Sequence, residues 1–306
     1  VYFLRSISLL LLLFISPAIA FAQKNKASLL RAIQMIIDES GARVGVAATR
    51  FAGDTTDGIQ IKGTAHFPMQ SVYKFPLALA VLDQVREGRL KLDQLVHIRR
   101  SDLDSDTWSP MYKAKAEAEY DIKLSMLVRY MISQSDNNAC DVLFRLIGGP
   151  KAAQRYLKKN GVKNIRMVAT EHGMHQKWKA QYRNWATPLS MQDLLLRFSN
   201  GEFLNKELNT FLYAAMVKSL NSPDRIGGQL PDVVYSLAHK TGSSGTNDAG
   251  LTAAVNDVGI LSYEKHKLAI VVFVSDFKGD TKKGERVIAQ ISRLIWDYYM
   301  PETKNF

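Results

Sequence analysis

The sequence predicts a mixed α/β (α+β sandwich) fold. An antiparallel sheet of about five strands, flanked by an N-terminal and a C-terminal helix, carries an inserted all-helical lobe. Three observations predict it. One helix-periodic segment and two strand-like segments open the chain, a helical block fills its middle, and three strand-like runs with a helix close it. The last two strand-like runs are joined only by Glu264-Lys265-His266, too short for anything but antiparallel pairing. The 306 residues, 46% of them hydrophobic, supply core for one large domain or two coupled lobes.

The opening stretch stands apart from this fold. It has one early cation, Arg5, then an apolar run from Ile7 to Ile15, then Pro17 and small residues. That is the layout of a secretory signal peptide, and the run is short for a bilayer span. Residues 1–22 are therefore expected to be a signal and 23–306 the exported chain. Within the latter, residues 23–70 and 220–306 should form the sheet lobe and 71–219 the helical lobe. Apolar spacing gives a helix over 27–40, stopped by Gly41. Strands follow at 42–51 and 59–63. Helices are expected over 71–87, 123–134, 139–147, 151–160, 189–198 and 206–217. Residues 164–188 have no clean period, and irregular stretches of that length in compact domains are functional or disordered. Strands are expected at 233–240, 251–263 and 267–277, and a helix over 284–300.

Composition excludes several classes. The single cysteine, Cys140, permits no internal disulfide and falls at helical spacing with Phe144 and Ile147, the position of a core thiol. The six histidines include no H-x-H or H-E-x-x-H pair, so no metal is expected, and nothing calls for an organic cofactor. The net charge of +11 reads as cations scattered over a solvated surface that favours anionic substrates, with no nucleic-acid partner.

Four motifs carry chemistry. Ser-x-x-Lys occurs three times, at Ser71, Ser262 and Ser275. Only Ser71 opens a long helix, where i and i+3 share a face that continues through Phe75, Ala78, Leu82 and Val85. Lys74 should then be drawn inward beside the Ser71 hydroxyl, its ammonium disfavoured by burial and able to accept the serine proton. Ser135-Asp136-Asn137 lies between two helices, where capping alone accounts for Asp136. Lys240-Thr241-Gly242 ends a strand, with Gly242 allowing close backbone approach and the Ser243 N–H available to a ligand. Finally, Glu171 is the one carboxylate between Val142 and Gln192, in an otherwise basic stretch, which makes it a candidate general base.

Taken in this order, the set resembles the class A serine β-lactamases over essentially the whole exported chain. The segments "EHGMHQKWKAQYRNW" and "PDRIGGQLP" resemble the extended-spectrum branch that holds the PER, VEB and CfxA types. The resemblance implies a β-lactamase/transpeptidase-like fold and a small-molecule β-lactam as its partner; the signal implies export to the periplasm, or secretion if the source lacks an outer membrane, and a monomer is the default expectation. It implies Ser71 as nucleophile, Lys74 and Glu171 as proton-transfer groups, and Ser135 as donor to the leaving nitrogen. The N–H groups of Ser71 and Ser243 would form the oxyanion hole. Asn137 would bind the substrate acylamide, and Lys240, Thr241 and Ser243 its carboxylate. This chain has His175 where the family carries asparagine. Arg225 is expected to replace the usual cation near the substrate carboxylate. Trp108 is expected either to stack on substrate at the cleft mouth or to pack structurally. The rival readings are a penicillin-binding D-Ala-D-Ala peptidase and a β-lactam sensor that acylates without turnover.

Overall fold

The structure is a computed structural model that describes residues 25–51, 58–114, 119–220, 223–233 and 235–300. The expected signal, residues 1–22, lies outside the described residues. Helix α1 (Lys26–Ser40) starts where the Asn25 side chain accepts the Ala27 N–H at 2.8 Å and ends at Gly41, whose φ of 61° is left-handed. Strands β1 (Arg43–Phe51), β2 (Ile59–Ile61) and β3 (Phe67–Pro68) follow, then a 3₁₀ turn at Gln70–Tyr73 that leads into α2 (Lys74–Arg86). Strand β4 (Leu95–Ile98), α3 (Pro110–Ala114) and β5 (Tyr120–Lys123) precede α4 (Leu124–Ser133), α5 (Asn137–Ile147) and α6 (Pro150–Lys159). Next come β6 (Ile165–Arg166), α7 (Glu171–His175), a 3₁₀ turn at Trp178–Arg183, β7 (Trp185–Ala186), α8 (Pro188–Ser199) and α9 (Lys206–Val217). Strands β8 (Ser236–Ser243), β9 (Leu251–Tyr263) and β10 (His266–Lys278) and helix α10 (Thr281–Tyr299) complete the fold.

The main sheet has five strands in the order β2-β1-β10-β9-β8, every neighbouring pair antiparallel. Its two faces follow the period of a strand. Val44, Val46, Ile270, Val272 and Val274 pack with Leu29, Ile33 and Ile37 of α1 and Ile288, Ile291 and Ile295 of α10. Ala47, Ala269, Val271 and Phe273 face the opposite way, into a second core shared with α2, α4, α5 and α8. Burial on both faces explains why β9 and β10 read as nearly continuous apolar runs rather than alternating ones.

Two features depart from the sequence reading. Ser71 does not open an α-helix: it sits in the 3₁₀ turn, and α2 begins at Lys74. Nor does α2 bury one stripe. Every residue from Lys74 to Asp83 is buried, because the helix runs through the middle of the second core. Lys74 is thus enclosed whichever face it occupies, and an unpaired ammonium there would cost several kcal/mol, about the penalty for a buried unpaired ion.

The segment without a period is an ordered loop with a closed neck. Strands β6 and β7 pair antiparallel, Ile165 opposite Ala186 and Arg166 opposite Trp185. Asn184 fastens the neck: its Oδ1 accepts the N–H groups of Val168 at 2.8 Å and Ala169 at 3.0 Å, and its Nδ2 donates to Ala169 O at 2.8 Å. Such side-chain-to-backbone bonds leave no periodic signature.

Candidate active site

The cleft sits between the helical block and the edge strand β8, with a volume of about 470 Å³. Ser71, Ser135, Asn137, Glu171, Thr241 and Ser243 line it, and Trp108 and His175 stand at its walls. Groups from Ser71 to Ser243 therefore converge as the motif order anticipates.

The Ser71 turn is held against the sheet from two sides. Asn256 of β9 donates from Nδ2 to Pro68 O at 2.8 Å and Met69 O at 3.1 Å. On the other side, β8 comes so close that a Cβ at Gly242 would lie 2.6 Å from Met69 O and 3.0 Å from Ser71 N. Only glycine allows that approach, as the motif suggested. Gln70 enters the turn with a left-handed φ of 48°, and its Nε2 donates to Gln181 Oε1 at 2.7 Å. Ser135 is also left-handed, at φ 56°. Each such residue costs about 1–3 kcal/mol, a strain tolerated where the surroundings over-determine the geometry.

Strand β8 presents an N–H to the same spot. Ser244 N donates inward to Ala254 O at 3.0 Å. Antiparallel ladders alternate, so the Ser243 N–H points outward from the sheet edge, on the side of the Ser71 turn. The same alternation turns the Thr241 carbonyl outward, where it accepts Lys240 Nζ at 2.9 Å.

The two lysines differ in environment. Lys74 is fully buried. Its Nζ donates to Ser135 O at 2.7 Å and Asn137 Oδ1 at 2.5 Å and lies 3.0 Å from Glu171 Oε1. Two hydrogen-bond acceptors and one carboxylate thus surround Nζ. The lone desolvated amine beside the Ser71 hydroxyl, expected from the sequence, is instead one half of a buried ion pair. Among the described residues, the Ser71 hydroxyl has no side-chain hydrogen bond. Burial pushes Lys240 well below the usual lysine range, with the Lys74 charge adding to the effect. Its Nζ donates to Ser135 Oγ at 2.9 Å, a direct path for a proton.

Glu171 is 5% exposed and opens α7. Asp141, one turn into α5, holds that end: its Oδ1 accepts Glu171 N–H at 2.8 Å and its Oδ2 accepts His172 N–H at 2.9 Å. Burial raises Asp141 from 3.8 to about 6 despite those two bonds. The folded protein thus binds this proton more tightly than the unfolded chain. Its contribution to stability is greatest below about pH 4 and is lost as the pH rises through about 6. Turnover should show the opposite trend. A protonated Asp141 turns one oxygen into a donor facing an N–H, which loosens the start of α7. Turnover is therefore expected to fall below about pH 6. Asp141→Asn, with one acceptor oxygen, should show at pH 7 the slow turnover that the wild type shows only in acid. Superimposable pH–rate profiles of the two proteins would contradict this.

Asn137 is committed at both ends, accepting from Lys74 and donating from Nδ2 to Thr107 Oγ1 at 2.7 Å. Asp136 is a structural cap, as its place between two helices led one to expect. It accepts Ala139 N–H at 2.9 Å, Ser109 Oγ at 2.9 Å and Met111 N–H at 2.6 Å. Trp108 is 52% exposed, tethered through Nε1 to Gln134 O at 2.9 Å, with Lys113 5.1 Å from its ring centre. That exposure places it at the cleft mouth, not in a core. His175 is exposed at the end of α7, on the cleft wall. Cys140 is buried against the Tyr73 hydroxyl at 3.3 Å, and burial holds both groups well above their ordinary pKa.

Arg225 requires a correction. It was expected to face the substrate carboxylate, yet it is 1% exposed and lies behind β8, off the cleft lining. Its NH1 donates to Gly242 O at 3.1 Å and Asn256 O at 2.8 Å, and its NH2 to Ser243 Oγ at 2.6 Å, with Glu285 at 3.3 Å. It braces the strand end and orients the Ser243 hydroxyl. Arg225→Ala should therefore destabilise the fold by about 3 kcal/mol, the cost of breaking a buried hydrogen-bonded pair. Urea unfolding checks this; an unchanged midpoint would return Arg225 to the surface.

A serine-bearing turn, a buried lysine–carboxylate pair and an outward N–H at a strand edge are the parts that acyl transfer to serine requires. The class is thus a serine hydrolase, and comparison with known proteins gives the family. The model of the "Beta-lactamase enzyme family" matches residues 28–299, and the chain belongs to that family. It is 37% identical to "Beta-lactamase VEB-1" of Pseudomonas aeruginosa, over 95% of this chain and 97% of that protein. It is 37% identical to "Extended-spectrum beta-lactamase PER-1" of the same organism, over 87% of this chain and 85% of that protein. The crystal structure of a β-lactamase from Chitinophaga pinensis superposes with a TM-score of 0.84 at 44% identity, covering 88% of this chain and 98% of that one. The fold is that of a class A-like serine β-lactamase. Among the described residues, no group of His, Cys, Asp or Glu is arranged to hold a metal ion, and no helix is long and apolar enough to cross a membrane.

Sequence reasoning missed Asp141, Asn256, Gln70 and Gln181. Asp141 alone carried a usable signal: it is an acid four residues after Asn137, one turn further along the same helix face.

Proposed function

We propose that this protein hydrolyses penicillins and cephalosporins through an acyl-enzyme on Ser71, in the manner of the extended-spectrum branch that includes the VEB and PER types. Residues 23–306 would act as one catalytic unit in the periplasm after loss of residues 1–22. The observation that carries the reading is the buried Lys74–Glu171 pair, whose carboxylate lines the same cleft as Ser71. A peptidase or sensor that only acylates needs the lysine; a hydrolase also needs a group to deprotonate water.

The Lys74–Glu171 pair takes the Ser71 proton as a unit while the hydroxyl oxygen attacks the β-lactam carbonyl carbon. The carbonyl oxygen becomes an oxyanion, held by the N–H groups of Ser71 and Ser243. Ser135 gives its proton to the departing ring nitrogen and is replenished from Lys240, which recovers a proton from the Lys74–Glu171 pair, so that Glu171 is a carboxylate again before water attacks. Glu171 then deprotonates the water that attacks the ester, and Ser71 regains its proton. The substrate carboxylate lies against Thr241, Ser243 and the Lys240 charge, with Arg225 acting only through Ser243. Asn137 meets the acylamide where it now bonds Thr107. Trp108 and His175 border the substrate side chain.

Stopped-flow mixing with nitrocefin tests the reading. Steady hydrolysis over many equivalents is expected. A burst of one equivalent followed by a flat trace would assign the protein to the acylating peptidases or sensors.

A further inference from the structure

The chain's positive charge is not scattered. Residues 142–192 hold ten Lys and Arg side chains against the single carboxylate Glu171, a net of +9 out of the chain's +11. Glu171 is buried in the catalytic cleft, so none of this surface charge is balanced from within the segment.

Half of those cations converge on one concavity. Lys151, Arg155 and Lys158 from α6, Arg166 from β6 and Arg183 from the loop neck line a groove of about 760 Å³ with no carboxylate in its wall. All five are exposed, and none has an ion pair or side-chain hydrogen bond among the described residues. Its floor is Met167 and Val168, and it shares no lining residue with the cleft at Ser71. Like charges that line one concavity repel one another, and a concave wall focuses their potential. A single halide neutralises little of this. An anion with several phosphate groups neutralises the set and gains charge-assisted hydrogen bonds, and the three arginines offer planar forks suited to phosphate oxygens.

We propose that the groove of Lys151, Arg155, Lys158, Arg166 and Arg183 is a binding site for an anion carrying clustered phosphates, free in solution or at a lipid surface. Isothermal titration of the full chain with tripolyphosphate is the first test. One site is expected, with affinity falling steeply as salt rises. Lys151→Gln/Arg155→Gln/Lys158→Gln should weaken it about tenfold or more. The control Lys265→Gln/Lys267→Gln/Lys282→Gln, with the same loss of net charge on other elements, should retain binding within about threefold. Both triples should hydrolyse nitrocefin at the wild-type rate, which shows that they fold. Co-sedimentation with phosphatidylglycerol vesicles, and not with phosphatidylcholine, that is lost in the α6 triple would place the phosphates at a membrane. Three results would overturn the site: no binding of either probe, equal weakening by both triples, or tripolyphosphate that competes with nitrocefin and binds the α6 triple as tightly as the wild type.

Discussion

Replacing Glu171 with glutamine should leave a protein that takes up one β-lactam per molecule and keeps it. Glutamine keeps the shape of the side chain, so α7 and its tie to Asp141 persist. It cannot accept a proton, so water at the acyl-enzyme goes unactivated. Loss of a positioned general base costs about 10²–10⁴-fold in rate, and kcat should fall by about 10³. Intact-mass spectrometry should show wild-type protein without adduct after a brief excess of penicillin, and the variant almost fully acylated. A variant that turns over slowly with no adduct would mean that acylation, not ester hydrolysis, depends on Glu171. Lys74, deprived of its counter-charge, would then be the first place to look.

The second large effect is at the nucleophile. Ser71→Ala should abolish the adduct and lower nitrocefin hydrolysis by about 10⁴-fold or more, as expected when the group that forms the covalent bond is removed. The fold should be indifferent. Among the described residues the Ser71 hydroxyl bonds no other side chain, so a stability change within about 0.5 kcal/mol is expected. Thermal melting and nitrocefin assays on one preparation separate chemistry from folding. Hydrolysis within tenfold of wild type would move the nucleophile elsewhere, with Ser135 the next hydroxyl in the cleft.

Most of the sheet and helix order was legible because it rests on local periodicity. Strand β9 and helix α9 fall on the bounds that spacing gives, 251–263 and 206–217. The start of α2 was misjudged because the left-handed turn at Gln70 and the pull of Asn256 on Pro68 and Met69 convert the segment before Lys74 to a 3₁₀ turn. Neither cause is local. The loop at 164–188 gave no pattern because Asn184, rather than a buried stripe, holds its neck.

Residue type and short spacing, by themselves, determined which groups could do chemistry: a serine and lysine one turn apart, a hydroxyl at a helix junction, a lone acid in a basic stretch, and a glycine at a strand end. Those choices are local, since a side chain carries its reactivity wherever it goes. Only the tertiary structure decided what each group has for neighbours. It gave Lys74 a carboxylate partner, buried Lys240 against Ser135, turned Arg225 away from the cleft behind β8, and gathered five of the surplus cations into one groove. Charge, burial and hydrogen-bond geometry at the site depend on atoms such as those of Asn256 and Pro68, 188 residues apart, and no short window of sequence contains them.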